Sequence, residues 1–102
     1  MIKIINVNYY DEIIKDCKKI AIKKNIMYGS EGLKRFGLKG IVCRLGDKQD
    51  RLVNMTWNNQ KDLNNESIED TLKDMLNYCI YSIMVLNGKL EMSNKTNKRT
   101  KS

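Results

Sequence analysis

Apolar residues recur at helical spacing in three stretches of this chain. The first stretch holds Ile13, Ile14, Cys17, Ile20 and Ala21, which follow the three- and four-residue steps of one helix face. Asn8 with Asp11 three residues later is typical of a helix N-cap followed by an acidic third position. The pattern predicts a first helix over about 9–25, which ends near the glycines of YGSEG.

A glycine-rich connector and a second helix pattern follow. Residues 28–40, YGSEGLKRFGLKG, contain four glycines. From 41 to 57 the apolar positions again fit a helix, and Arg44, Lys48 and Arg51 fall at i, i+4 and i+7 on another face of it. The polar, asparagine-rich segment NNQKDLNNE then predicts a loop.

The last pattern is the longest apolar run of the chain. Ser67 with Asp70 predicts a capping box, and the residues from Met75 to Leu86 are almost all apolar in a helix that should end at Gly88. We expect this helix to be buried, at the centre of the fold or at a dimer seam. The prediction is an all-α compact bundle of three to four helices in one domain, 1–90. Because so short a chain buries little surface, we expect homo-oligomerisation to complete it.

Composition limits the chemistry that this protein can perform. The 102 residues include no histidine and no CxxC pair, which excludes an imidazole base and the usual zinc sites, so acid–base or metal chemistry must use carboxylates. Cys17, Cys43 and Cys79 are predicted to be reduced core thiols. No run is apolar and long enough for a membrane span, and no secretory signal is visible, so we expect a cytoplasmic protein without a membrane partner.

The net charge of +7 is concentrated at the end of the chain. The last ten residues, SNKTNKRTKS, hold four cations and no acid, and subtracting these four from +7 leaves +3 for residues 1–92. The segment 91–102 is therefore predicted to be a disordered basic tail. Contact with nucleic acid is expected through this tail only.

Two sets of charged residues are candidates for a ligand site. Glu66, Asp70 and Asp74 are spaced to share one helix stripe and would suit Mg²⁺, although acids at a helix start are also favoured by the helix dipole alone. Arg44, Lys48 and Arg51 would clamp a phosphate, pair with that acidic stripe across two packed helices, or form a solvated face. The residues alone leave these alternatives open.

Three motifs resemble one known family. They are KKNIMYG at 23–29, RLGDKQDRL at 44–52 and ESIEDTLKDMLNY at 66–78, and together they are similar to the nucleotide modification associated domain type 1 family of phages and bacteria. That family is all-helical and more remotely resembles the MazG-like nucleoside triphosphate pyrophosphatases, which hold Mg²⁺ against a triphosphate. The resemblance points to Tyr28, Gly29, Lys48, Arg51, Glu66, Asp70, Asp74, Asn77 and Tyr78. Together with Arg44 from the basic face, these are the candidate residues for binding the ligand or a metal ion.

The chain departs from the pattern of an active pyrophosphatase in two places. Met27 stands where the family has an acidic residue before the Tyr-Gly pair, and the first helix offers only Asp11, Glu12 and Asp16 in place of paired glutamates. We therefore expect a phage-type protein that binds a nucleotide or nucleotide-derived ligand, either to sequester a host nucleotide signal or to serve nucleotide modification. The alternatives are a Mg²⁺-dependent pyrophosphatase, with Glu66, Asp70 and Asp74 on the metal, and an inhibitor that binds a host protein.

Overall fold

Three α-helices make up the part of the chain that the structure describes. In the computed structural model, residues 5–28, 37–60 and 67–90 are described. Helix α1 spans Val7–Tyr28, α2 spans Gly37–Thr56 and α3 spans Ile68–Leu86, and no strand occurs in these ranges. The all-α prediction is confirmed. The predictions for Gly29, Glu66 and the tail 91–102 lie outside the described residues.

Helix α1 begins earlier than predicted. It starts at Val7, and the backbone N–H of Tyr9 donates to the Asn6 side-chain oxygen at 3.0 Å. Asn6 therefore satisfies an amide of the first turn, as an N-cap does. The prediction that Asn8 caps this helix is wrong, because Asn8 already lies inside the first turn.

Helix α2 includes the end of the glycine-rich connector. It begins at Gly37, whose φ of +58° lies in the left-handed region that glycine adopts without strain. The helix ends at Thr56, whose hydroxyl donates to the Leu52 carbonyl at 2.6 Å. The predicted start at residue 41 therefore misses the helix's first turn, which residues 37–40 form despite their two glycines.

Helix α3 has the cap that the sequence predicts. The Ser67 hydroxyl accepts from the Asp70 N–H at 2.9 Å, and the Asp70 carboxylate accepts from the Ser67 N–H at 3.3 Å, so both halves of the capping box are present. The helix ends at Leu86, and Gly88 follows with a φ of +65°. This confirms the predicted helix end to within two residues.

Helix α3 is the central element, since it packs against both α1 and α2, whereas α1 and α2 do not pack on each other within the described residues. The fully buried residues in the described ranges are few. Cys17 of α1 and Ile41 of α2 are apolar, but Thr71 and Asn77 of α3 are polar. The central helix thus turns a polar side toward its neighbours.

The apolar side of α3 faces outward instead. Leu72, Ile83 and Leu86 are 51%, 57% and 69% exposed, and Cys79 is exposed as well. For the single chain, the prediction that the run 75–86 is buried is therefore wrong at Cys79, Ile83, Met84 and Leu86, whereas its other residues are half-buried or buried. The cause is the helical register: with 100° per residue, the exposed positions, Met84 aside, lie roughly opposite the Thr71 and Asn77 side that packs on α1 and α2.

The three cysteines are free thiols. Cys17 is buried, as predicted, but Cys43 and Cys79 are exposed and are not core residues. None of the three described helices is long and apolar enough to cross a membrane.

Candidate functional site

A single carboxylate joins all three helices. Asp74 of α3 accepts a hydrogen bond from the Lys24 ammonium of α1 at 2.9 Å on Oδ1, and one from the Lys48 ammonium of α2 at 3.0 Å on Oδ2. We call Lys24, Lys48, Asp74 and the neighbouring Asn77 the three-helix junction. It brings two cations from separate helices to one acid.

The junction is partly shielded from water. The side chains of Lys48 and Asp74 are each 15% exposed, whereas that of Lys24 is 52% exposed. Burial by itself would raise the pKa of Asp74, but the hydrogen bonds and charges of Lys24 and Lys48 outweigh burial and lower that pKa below its ordinary value. Asp74 is therefore a carboxylate at neutral pH, and it accepts from two ammonium groups.

Asn77 fixes the position of α1 against the same face of α3. It is one turn beyond Asp74, is 5% exposed, and donates its side-chain amide to the Cys17 carbonyl at 3.0 Å. Thr71, one turn before Asp74, is fully buried and donates its hydroxyl to the Ser67 carbonyl at 3.1 Å. The polar side chains that flank Asp74 are thus held in place by backbone carbonyls.

A second ionic group lies beside the junction, nearer the solvent. The Lys73 ammonium is 2.9 Å from a Glu69 oxygen within α3 and 3.9 Å from an Asp16 oxygen of α1. The hydrogen bond from Lys73 to Glu69 raises the pKa of Lys73 above its ordinary value. Because Asp16 and Glu69 are 56% and 71% exposed, water and salt screen these pairs, and they contribute little to stability.

The basic face of α2, formed by Arg44, Lys48 and Arg51, contacts the three-helix junction through Lys48. Of the predicted set, Lys48 bonds Asp74, which confirms one alternative, the pairing of this face with the acidic stripe across two packed helices. Arg51 is half-buried and Arg44 is exposed. Because Arg44, Lys48 and Arg51 lie on one side of α2, this basic face extends from Lys48 at the junction to the exposed Arg44.

Two tyrosines continue the junction side of α3. Tyr78 and Tyr81 are half-buried, and their rings meet edge to face with centroids 6.1 Å apart. Burial, and then the nearby Tyr78 and Asp74, raise the pKa of Tyr81. The Tyr81 phenol therefore stays protonated at neutral pH, and the two rings lie on the same side of α3 as Asp74.

The residues predicted for Mg²⁺ are engaged in other interactions. Asp70 closes the capping box, both oxygens of Asp74 accept from lysines, and Glu66 lies outside the described residues. In the described part of the chain, no group of three or more Cys, Asp or Glu side chains is arranged to hold a metal ion. Tyr28 is the last residue of α1, and its side chain is not among those described.

The sequence analysis did not select Lys24, although a signal for it exists. Ile13, Cys17 and Ile20 follow one face of α1, and Lys24 continues the same spacing four residues later. A lysine that continues a packed helix face lies near the neighbouring helix, where a carboxylate is a favourable partner. Asp74 is that partner.

Comparison with protein-family models, curated proteins and solved structures gives no match to this chain. The resemblance to the nucleotide modification associated domain type 1 family therefore rests on the three sequence motifs alone.

Proposed function

We propose that this protein binds a phosphate-bearing small molecule of the nucleotide class at the three-helix junction. The observation that carries the proposal is the convergence of Lys24 and Lys48, from two helices, on the single carboxylate of Asp74. The half-exposed Lys24 presents its ammonium group to solvent at the edge of the junction. Phosphate oxygens are acceptors for such charge-assisted hydrogen bonds.

The surroundings of the junction extend this binding surface. Arg44 and Arg51 lie on the same stripe of α2 as Lys48, and guanidinium groups bind phosphate in a bidentate manner. Tyr78 and Tyr81 lie on the junction side of α3 and offer a surface on which a base can stack. The proposed role of Asp74 is to orient Lys24 and Lys48. Asp74 and Lys48 are also among the ligand-binding residues that the motif resemblance implies.

Binding is favoured over Mg²⁺-dependent hydrolysis because both oxygens of Asp74 already accept from ammonium groups. A metal ion at Asp74 would have to displace two lysines. The substitution Asp74→Asn separates the two functions. In a binding protein both lysines remain, so nucleotide binding persists, weakened by the loss of the carboxylate that orients them. In a pyrophosphatase it removes a metal ligand, and turnover is lost.

The test is a nucleotide panel measured by calorimetry, with and without Mg²⁺, followed by mass spectrometry of the recovered ligand. We expect at least one nucleotide to bind and to be recovered intact. Lys24→Met should weaken that binding about tenfold, the equivalent of one charge-assisted hydrogen bond. Lys18→Met is the matched control, because Lys18 is exposed on another side of α1.

Three results would count against the proposal. The first is release of a monophosphate and pyrophosphate by the wild type but not by Asp74→Asn, which would establish the hydrolase. The second is equal weakening by Lys18→Met and Lys24→Met, which would show only nonspecific attraction. The third is no binding of any nucleotide, together with no small molecule that co-purifies with the protein.

A further inference from the structure

We infer that two copies of this chain pair in antiparallel fashion through the outward side of α3, with Cys79 at the two-fold axis. The surface concerned is the outer stripe, formed by Ile68, Leu72, Cys79, Ile83 and Leu86. All five are exposed in the single chain. The inference concerns the side of α3 opposite the three-helix junction and does not depend on the proposed ligand.

The outer stripe has the spacing of a helix–helix seam. Its members are separated by steps of four, seven, four and three residues, which keep them on one side of an α-helix over two heptads. The half-buried Leu76 lies in the seven-residue gap. From 75 to 88 the chain contains no charged residue, so no charge has to be buried when a second helix covers the stripe.

The stripe is also symmetric about Cys79. Leu72 and Leu86 each lie seven residues from Cys79, so an antiparallel second copy places Leu72 opposite Leu86 twice. The same register places Met75 opposite Ile83. A two-fold interface requires a surface that is complementary to itself in this way.

Charge decides between the two directions of pairing. A parallel pair would bring together the acidic first turns of two α3 helices, each with Glu69 and Asp70, and would align their dipoles. The antiparallel arrangement instead places the acidic start of each α3 beside the end of the other, just beyond which the exposed Lys89 lies. Opposite charges then meet at both ends of the seam.

A second copy fits the outer stripe better than the segment 91–102 or a lipid surface does. The segment 91–102 of the same chain is EMSNKTNKRTKS, in which Met92 is the sole apolar residue, so it cannot cover an apolar stripe. Helices that lie on an anionic lipid surface carry many lysines or arginines on the polar face, whereas α3 has one lysine and three acids.

The size of the stripe predicts a moderate affinity. Ile68 and Leu86 are 18 residues apart, or about 27 Å along a helix about 10 Å wide, which gives a footprint of roughly 300 Å² per copy. Two footprints give roughly 600 Å², below the approximately 1,000 Å² of a stable interface, and half-buried neighbours such as Met75 and Leu76 must supply the rest. We therefore expect dissociation in the micromolar range.

The first test measures mass by light scattering over about 1–200 µM, a range chosen to span micromolar dissociation. The wild type should approach twice 11.9 kDa at the upper end. Ile83→Lys should raise the dissociation constant at least about 100-fold, because each copy loses a buried side chain. Val42→Lys is the matched control, since Val42 is 53% exposed on α2, against 57% for Ile83, and it should dimerise as the wild type does.

The second test uses the native thiols and does not require Ile83→Lys to fold. A short bis-maleimide should cross-link Cys43→Ser through Cys79, whereas Cys79→Ser, which keeps the exposed Cys43, should stay uncross-linked. In a background of Cys43→Ser and Cys79→Ser, Leu72→Cys and Leu86→Cys should cross-link to each other on mixing, and neither should cross-link to itself.

Three results would overturn the inference. They are a wild type that stays at 11.9 kDa throughout, cross-linking that requires Cys43 but not Cys79, and self-cross-linking of Leu72→Cys, which would indicate a parallel pair. A stripe that captures a lipid vesicle or another protein while the chain remains monomeric would also overturn it.

Discussion

Replacing Asp74 with asparagine removes one charge from the three-helix junction and leaves its size almost unchanged. Lys48 then loses its carboxylate partner in a setting where both side chains are 15% exposed. A hydrogen bond to a charged group in such a setting contributes about 1.5–3 kcal/mol. Lys24 is 52% exposed, so water screens it and its pair contributes only about 0.2–1 kcal/mol.

Together these losses predict that Asp74→Asn lowers the free energy of unfolding by about 2–4 kcal/mol. For a chain of this size, a loss of 2 kcal/mol lowers the melting temperature by at least about 8 °C. Urea unfolding followed by circular dichroism measures the free energy directly. A double-mutant cycle of Asp74→Asn with Lys48→Met should give a large interaction free energy between the two residues. The cycle with Lys24→Met should give a small one.

Asp50→Asn provides the control, because it makes the same chemical change at an exposed site on α2. It should change the unfolding free energy by no more than about 0.5 kcal/mol. The reasoning is refuted if Asp74→Asn is as mild as this control, or if the larger coupling is found with Lys24. Either result would mean that Lys48 and Asp74 are separately solvated and do not hold α2 against α3.

Four further measurements test other parts of the structure. Since the pKa of Asp74 is lowered from 3.8, its stabilisation is present above that value and is lost as the pH falls through the folded value. The difference in unfolding free energy between wild type and Asp74→Asn should thus be constant above about pH 5 and narrow below about pH 4. Asn77→Ala should cost about 1–3 kcal/mol in urea unfolding, because it removes a buried hydrogen bond to the Cys17 carbonyl. A thiol reagent on dilute native protein should modify Cys43 and Cys79 at once and Cys17 only on unfolding, since burial both shields the Cys17 thiol and raises its pKa. If two copies pair through the outer stripe, a tenfold dilution should lower the free energy of unfolding of the dimer by about 1.4 kcal/mol. Scanning calorimetry should then show a melting temperature that falls on dilution for the wild type but not for Ile83→Lys.

The fold was predictable because its signals are local. Helical spacing of apolar residues and the Ser67–Asp70 box determine where helices form, and both depend on residues three or four apart. The start of α1 was predicted two residues too late, because Asn8 was taken as the N-cap in place of Asn6. The two asparagines are chemically equivalent, and only the backbone conformation distinguishes them. Such an ambiguity is settled by geometry that one sequence does not contain.

The candidate site was less predictable because its partners come from distant positions. Lys24 and Asp74 are 50 residues apart, and no local pattern relates them. The basic stripe of α2 and the acidic stripe of α3 were each visible, but pairing between them was one alternative among three. Burial was also predicted for apolar residues of α3 that are exposed in the single chain, such as Ile83 and Leu86. Apolar character predicts that a side chain is buried, but it does not identify the surface that covers it.

The exposure of apolar residues on α3 has a physical explanation in the way the helix packs. A helix whose polar residues Thr71, Asp74 and Asn77 face its neighbours and whose outer stripe faces solvent is poorly explained as the core of a monomer. The polar side needs fixed partners, and Lys24, Lys48 and the Cys17 carbonyl supply them. The apolar side needs a cover, which a second α3 supplies in our proposal. Because the two surfaces lie on opposite sides of α3, Lys24→Met should weaken ligand binding without affecting self-association, and Ile83→Lys should do the reverse.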